Sequence, residues 1–473
     1  MKQRPNLIYI FADQLRYQSC GYAGDEKAMT PNIDHMATES VNFVNAVSGS
    51  PMCAPYRASL FTGKYTSSTG MVINELRLNP EHHTGLGEVL TDGGYETYYI
   101  GKWHLYANQL GHHTDPKNSF TPRGPDRLGF DGFWASYGFH HTYWDQYYHT
   151  ESDEKITIAG YEPDGQTDLA IEKLAEAASA ENPFALFLSL GTPHDPWGPD
   201  NVPAEWLEKF ADVEFNLSPN YKDEDDPHGD KWASLSPEER EELPEWMRVY
   251  YAMTANLDWN LGRLLDAIDE LGLREDTIVI FTSDHGEMFG AQGRRAKNIF
   301  YEEAIRVPFL LRWPAQSQPA AHDACLNTPD IMPTLLGLLD LPIPNGVEGT
   351  DLRHCVLGEA GPNSDIGPEA AFLQGMGATA IFEDGHEWRG LRSKQYTYAR
   401  FLSDGSECLF DNVADPYQMQ NLVEDANHKK VLAHVRTLLQ SYMSDLNDTF
   451  ETCTWYRDHW VEDRVIQRTA TMD

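Results

Sequence analysis

The chain has 473 residues, 41% of them apolar and 12% aromatic, enough for a large buried core and more than one domain. Its formal net charge of −37 argues against nucleic acid or an anionic membrane surface as a partner. No apolar run approaches the roughly 18 residues of a membrane-spanning helix.

The opening, MKQRPNLIYIFADQ, is basic at its start, but its apolar run of about six residues is too short for a secretory leader. A cytoplasmic location is expected for the chain as it stands, and a periplasmic or secreted one if a leader has been removed. A strand is expected at Leu7–Ala12, running into Asp13 and Gln14. The stretch SPMCAPYRASLFTGKY, residues 50–65, follows. Pro55 suits a first helical turn, so a helix is expected at Ala54–Phe61 with Cys53 at its N-cap. Free N–H groups and the helix dipole favour negative charge there, and Arg57 lies one turn further on the same face.

A second strand, Thr97–Ile100, leads into Gly101, Lys102, Trp103 and His104. Residues 130–149, FDGFWASYGFHHTYWDQYYH, are dense in aromatic rings and histidines, which suit the apolar faces and polar edges of sugars. Asn74, Arg77, His140, His141 and Trp144 are the candidate sugar-binding residues. A helix is expected at Thr167–Ser179. Strand Phe184–Leu190 then runs into Gly191, Thr192, Pro193, His194 and Asp195. Residues 221–245 are expected to be an exposed acidic insertion ending in a helix start, with a helix at Glu245–Leu271. Strand Thr277–Thr282 delivers Ser283, Asp284, His285 and Gly286.

A strand at Val307–Arg312 and a helix at Asp330–Leu339 follow. The stretch near 342–368 is rich in proline and glycine and marks a boundary. The division expected is a catalytic domain over 1–365 and a smaller α+β subdomain over 366–473. In the latter, Trp388–Arg400 and Glu407–Phe410 read as hairpin strands and 426–445 as a helix. Alternating short apolar runs and amphipathic helices indicate an α/β fold. The six cysteines, at positions 20, 53, 325, 355, 408 and 453, form neither a disulfide framework nor a zinc-type spacing.

Four strands thus each end in a polar or charged pair, and open α/β sheets form ligand sites at the carboxyl ends of their strands. Burying these groups is costly without a metal or ligand. Asp13, Gln14 and Asp284 offer oxygen ligands and favour Ca²⁺, while the His285 imidazole leaves Mn²⁺ or Mg²⁺ open. Arg57, Lys102 and Lys297 are cations that can clamp an anionic group, and His104 and His194 can move protons near neutral pH. Metal, cations and histidines together describe hydrolysis of a sulfate or phosphate ester.

Cys53-Ala54-Pro55-Tyr56-Arg57 followed by Thr62-Gly63 resembles the signature of the type I, formylglycine-dependent sulfatases of the alkaline-phosphatase superfamily. Gly94-Tyr95 leading to Gly101-Lys102-Trp103-His104 is similar to a second family motif. Asp284-His285-Gly286, Lys297 before Tyr301-Glu302-Glu303, Arg306-Val307-Pro308, and Leu409-Phe410-Asp411 with Asp415-Pro416 and Asn421-Leu422 also resemble that family. The resemblance spans residues 6 to about 425.

It implies a large mixed, mostly parallel sheet sandwiched by helices, with a smaller C-terminal subdomain on an antiparallel sheet. It implies that Cys53 is oxidised to Cα-formylglycine by a formylglycine-generating or anaerobic sulfatase-maturating enzyme, and that the aldehyde hydrate attacks sulfur. Asp13, Gln14, Asp284, His285 and the modified Cys53 would hold Ca²⁺, or alternatively Mn²⁺ or Mg²⁺. Arg57, Lys102 and Lys297 would hold charge, His194 would protonate the leaving alcohol, and His104 would take a proton as sulfate is expelled. The substrate expected is a sulfated mono- or oligosaccharide, desulfated at a chain end. Tyr56, Gln14 and His285 depart from the commonest family residues. Gln14 and His285 also resemble the phosphonate monoester hydrolases, so hydrolysis of a phosphonate monoester or phosphodiester is the alternative. A non-catalytic protein that binds sulfated glycans is the more distant one.

Overall fold

Strand β1, Asn6–Asp13, is apolar on both faces. Leu7, Tyr9 and Phe11 enter one buried cluster, while Ile8, Ile10 and Ala12 enter another. A strand of that kind belongs in the middle of a parallel sheet covered by helices on both sides. The computed structural model, which describes residues 4–107, 111, 113–359 and 367–472, places it there.

The remaining strands of this sheet are β2 (Val41–Phe43), β3 (Glu96–Lys102), β4 (Phe133–Tyr137), β5 (Phe184–Pro193), β6 (Thr277–Ser283), β7 (Phe309–Arg312) and β8 (Ala320–His322). Their order is β8-β2-β7-β6-β1-β5-β3-β4. β6, β1, β5, β3 and β4 are parallel neighbours, and β7 runs antiparallel to both β6 and β2. The register sets Ile10 beside Leu188 on one side and Phe281 on the other. The result is the mixed, mostly parallel sheet that the resemblance implies.

Helices Glu162–Ala177 and Pro237–Glu270 cover one face, and helices Cys53–Thr62 and Thr328–Leu338 the other. The long helix begins at Pro237 rather than at Glu245. Ser236 caps it: its hydroxyl accepts from the Glu239 N–H, and the Glu239 carboxylate accepts from the Ser236 N–H. This reciprocal cap starts the helix early enough to carry it through Pro244. Glu162–Ala177 likewise starts earlier than Thr167, with Pro163 in its first turn. Among the described residues, no helix is long and apolar enough to cross a membrane.

The C-terminal sheet has four antiparallel strands in sequence order: β9 (Ala370–Gly375), β10 (Trp388–Ser393), β11 (Tyr396–Phe401) and β12 (Glu407–Asp411). Helix Lys429–Asp445 packs on one face through Leu432, Val435 and Leu439. The other face meets Ile299, Phe300 and Ile305, close to the loops that carry the site. The chain then returns, and Cys453, Tyr456, Trp460 and Ile466 join the core cluster of Leu7 and Phe11.

Candidate active site

β1 and β6 run side by side, so Asp13 and Asp284 emerge together at their carboxyl ends. Helix Cys53–Thr62 points its first turn at the same place. Its N-cap is Met52, so Cys53 is the first helical residue and not the cap. All ten residues of the helix are buried, and Cys53 is 1% exposed. Asn74 braces this turn: its Oδ1 accepts from the Ala54 N–H at 3.0 Å.

The Cys53 sulfur lies 3.3 Å from His285 Nε2, 3.6 Å from Asp13 Oδ1 and 3.5 Å from Lys297 Nζ. Ligand atoms of Asp13, Cys53, Asp284 and His285 fall within 4.8 Å of one another. This donor set fits a divalent cation. Asp284 Oδ2 is buried without a hydrogen-bond partner among the described residues. His285 Nδ1 faces the Gly286 carbonyl at 3.1 Å, so the proton sits there and the Nε2 lone pair faces the group. Burial pushes the His285 pKa down to about 4, which keeps the ring neutral as a ligand must be. Burial, with the neighbouring Asp13 charge, pushes Asp284 up to about 6, a cost that a bound cation relieves.

Gln14 sits just past β1 with φ 71. Its amide nitrogen donates to Glu287 Oε2 at 2.7 Å, so its oxygen faces the site and accepts from Lys297 at 2.6 Å. Glu287 is a site residue that no sequence signal marked. Its other oxygen accepts from the Phe289 and Ala296 N–H groups and ties down the loop that carries Lys297.

The cations surround the carboxylates. Lys102 Nζ is 2.5 Å from Asp13 Oδ2. Arg57 is fully buried, donates to the Lys102 carbonyl and to Ser189 Oγ, and holds one nitrogen 3.6 Å from both Asp13 and Asp284. Burial raises the Asp13 pKa, but Lys102, His194 and Lys297 overcome it and hold the carboxyl well below its usual range. Gly101 allows the close approach of β3 to β5. It has φ +105, and a Cβ there would meet the Ser189 carbonyl oxygen at 2.0 Å.

Lys297 Nζ is 2.7 Å from His194 Nε2, and His194 Nδ1 is 2.9 Å from the Asp195 carbonyl. His141 stacks on His194 with ring centroids 4.5 Å apart. His104 has φ 57 and stacks on Phe139, and among the described residues neither of its ring nitrogens has a hydrogen-bond partner. Its Nε2 is 3.6 Å from Glu75 Oε1. Burial, then Lys102 and Arg57, holds the His104 pKa well below the usual value.

A cavity of about 480 Å³ opens above Cys53 and Lys297. Of the expected sugar-binding residues, Asn74 and His141 line it. Arg77, His140 and Trp144 lie elsewhere. Arg77 forms a bidentate pair with Asp126 and packs over Tyr106. His140 bonds the buried Glu162 at 3.0 Å and stacks on Tyr137. Trp144 is 41% exposed and donates to the Asp200 carbonyl. Lys102 and His104 are outside the lining as well. The walls come instead from Glu75, Phe139, Trp197, Lys231, Trp232 and Arg295, with Thr379–Ile381 supplied by the C-terminal part. Lys231 and Trp232 belong to the acidic insertion. That segment is exposed at Asp223 and Glu224, but Asp230 is buried and accepts from the Thr379 N–H at 2.6 Å.

The sulfatase family model matches residues 5–341, and the model for the C-terminal part of N-sulphoglucosamine sulphohydrolase matches residues 290–445. An ulvan-active sulfatase of Formosa agariphila is 37% identical over 461 residues, 96% of this chain and 84% of its own. An endo-4-O-sulfatase of Bacteroides thetaiotaomicron is 28% identical, covering 98% of this chain and 95% of its own. The solved structure of the sulfatase yidJ from Bacteroides fragilis superposes with a TM-score of 0.82 at 30% identity, over 96% of this chain and 98% of that one. With this fold and this pocket at its strand ends, the chain belongs to the sulfatase family and hydrolyses sulfate esters.

Proposed function

We propose that this sulfatase removes sulfate from a sulfated mono- or oligosaccharide, with Cys53 in its Cα-formylglycine form and a divalent cation, Ca²⁺ first, with Mn²⁺ or Mg²⁺ as alternatives. The observation that carries the reading is the Cys53 sulfur within 3.6 Å of Asp13, His285 and Lys297 at once, at the floor of the cavity. Saccharide specificity is supported by the aromatic and polar walls and by the relatives named for ulvan and for 4-O-sulfate.

The modified side chain supplies two hydroxyls on one carbon, one to attack sulfur and one to drive sulfate off. The cation, when bound, lowers the pKa of that side chain and draws charge from the sulfate oxygens. Asp13, Asp284 and His285 would hold it, with the Gln14 oxygen as a further ligand. Arg57 fixes the spacing of the two carboxylates from behind. Lys297 and Lys102 carry positive charge toward the sulfate oxygens, where negative charge accumulates in the transition state. His194, its Nδ1–H held by the Asp195 carbonyl, shares the proton on Lys297 and passes it to the leaving oxygen. His104 takes the proton released as sulfate departs. A formylglycine-generating or anaerobic sulfatase-maturating enzyme is the partner that modifies Cys53.

The test is sulfate release from hexose and N-acetylhexosamine sulfates, beside an aryl sulfate and an aryl phosphonate monoester. Saccharide sulfates are expected to be turned over with the highest kcat/KM. The phosphonate monoester is the second reading, favoured by Gln14 and His285, and preference for it would replace the first. The mass of the peptide carrying residue 53 is expected to fall by the sulfur-for-oxygen difference plus two hydrogens.

A further inference from the structure

A second cavity, of about 370 Å³, adjoins the catalytic one. The two share Asp195, Trp197 and Arg295 in their walls, so the segment His194–Trp197 is a ridge with a cavity on each side. The outer cavity is lined by Trp246 and by the edge of the buried Trp197, their ring centroids 5.7 Å apart, with the Arg295 guanidinium 5.7 Å from the Trp246 ring centroid. Its rim carries Glu242 and Glu245, from the start of the long helix.

The charge here is negative. Between Pro237 and Glu245 the helix has five glutamates and one arginine. The Arg295 guanidinium is already engaged, 2.9 Å from Glu239 and donating to the Trp232 carbonyl. Glu245 faces Arg248 at 3.6 Å, on an exposed surface where such a pair is weak. Asp195, half exposed, has its carboxylate 3.1 Å from His194 Nδ1 on the ridge, and Glu242 lies at the cavity wall.

We infer that this outer cavity is a saccharide subsite for the unit next to the sulfated one, and that it takes an uncharged ring. The inference rests on the saccharide reading above. The half-buried Trp246 indole matches the C–H face of a sugar, and carboxylates accept from its hydroxyls. The same carboxylates repel a ring that bears a carboxylate or a second sulfate. Positive charge at the floor of the catalytic cavity and negative charge beyond the ridge therefore pass a lone sulfate on a neutral neighbour and reject a densely charged chain.

The experiment compares three probes: the methyl glycoside of the sulfated hexose that the panel scores best, the same hexose linked to glucose, and the same hexose linked to glucuronate, in both linkage directions. The wild type is expected to show a lower KM for the glucose-linked probe than for the monosaccharide, and a higher one for the glucuronate-linked probe. Trp246→Ala is expected to raise KM for the glucose-linked probe about tenfold and leave the monosaccharide unchanged. Because Trp246 also packs against the core, Glu242→Gln with Glu245→Gln provides a second arm on surface positions. That pair is expected to remove the penalty against glucuronate, as is raised ionic strength. Equal KM for all three probes in the wild type, or a Trp246→Ala effect equal on monosaccharide and disaccharide, overturns the subsite and leaves the saccharide reading standing. Release of sulfate from the aryl ester but from no saccharide overturns both.

Discussion

The ammonium of Lys297 donates to His194 Nε2 across 2.7 Å. Since His194 Nδ1 is bound to the Asp195 carbonyl, the imidazole is neutral and the shared proton sits on the lysine. Burial, and then the Lys297 charge, holds the His194 pKa well below its usual value. The two are expected to act as one proton-donating pair at the leaving oxygen. His194→Ala is expected to lower kcat on a sugar sulfate by about 10²–10⁴-fold. The loss should be much smaller on a nitrophenyl sulfate, whose leaving group departs without a proton. Equal losses on both would show that His194 only positions Lys297.

Cys53→Ala is expected to abolish sulfate release. The side chain is small and sits beside polar groups, so the melting temperature of the variant should stay near that of the wild type. Retained turnover would remove Cys53 from the chemistry.

Metal dependence is expected from the orphaned Asp284 oxygen and the unprotonated Nε2 of His285. Stripping the protein with a chelator is expected to lower its melting temperature, and Ca²⁺ to restore it. The gain is ~2.7 kcal/mol when the ion is about 100-fold above its Kd. Asp284→Asn should lose that response. Titrating Ca²⁺, Mn²⁺ and Mg²⁺ in parallel ranks the three, and a melting curve indifferent to all of them would rule the site out.

Away from the site, Arg389 and Asp448 are both buried and meet at 2.5 and 2.9 Å. Burial raises the Asp448 pKa, but Arg389 outweighs it and holds the carboxyl below its ordinary 3.8. A lowered carboxylate pKa contributes stability that is complete above the unfolded value and is lost as pH falls through the folded one. Asp448→Asn leaves the guanidinium buried without its counter-charge, and should cost about 3–5 kcal/mol at pH 7. Urea unfolding is expected to show the gap between variant and wild type closing below pH 3.8. A gap independent of pH would mean that the pair acts through packing alone.

Much of this site was legible because of where its residues sit in the chain. Asp13, His194, Asp284 and His285 follow apolar runs, and a strand delivers its next residues to the sheet's carboxyl edge. Cys53 and Arg57 are spaced by one helical turn. Glu75, Phe139 and Lys231 lie in irregular loops, where neither periodicity nor spacing says what a residue faces. Arg77 and His140 were chosen by type, and their partners Asp126 and Glu162 satisfy them inside the protein. Strand β9 gives no strand signal because its six residues do not alternate, and strand β2 gives none because it has three.

The burial of Cys53 sets a schedule for the life of the molecule. His285 lies 232 positions after it, and Lys297 and helix Thr328–Leu338 come later still. Until those segments leave the ribosome and dock, the thiol is open; in the folded chain it is 1% exposed, at the bottom of the cavity. A second protein that alters this side chain is therefore expected to reach it most readily before those segments close around it.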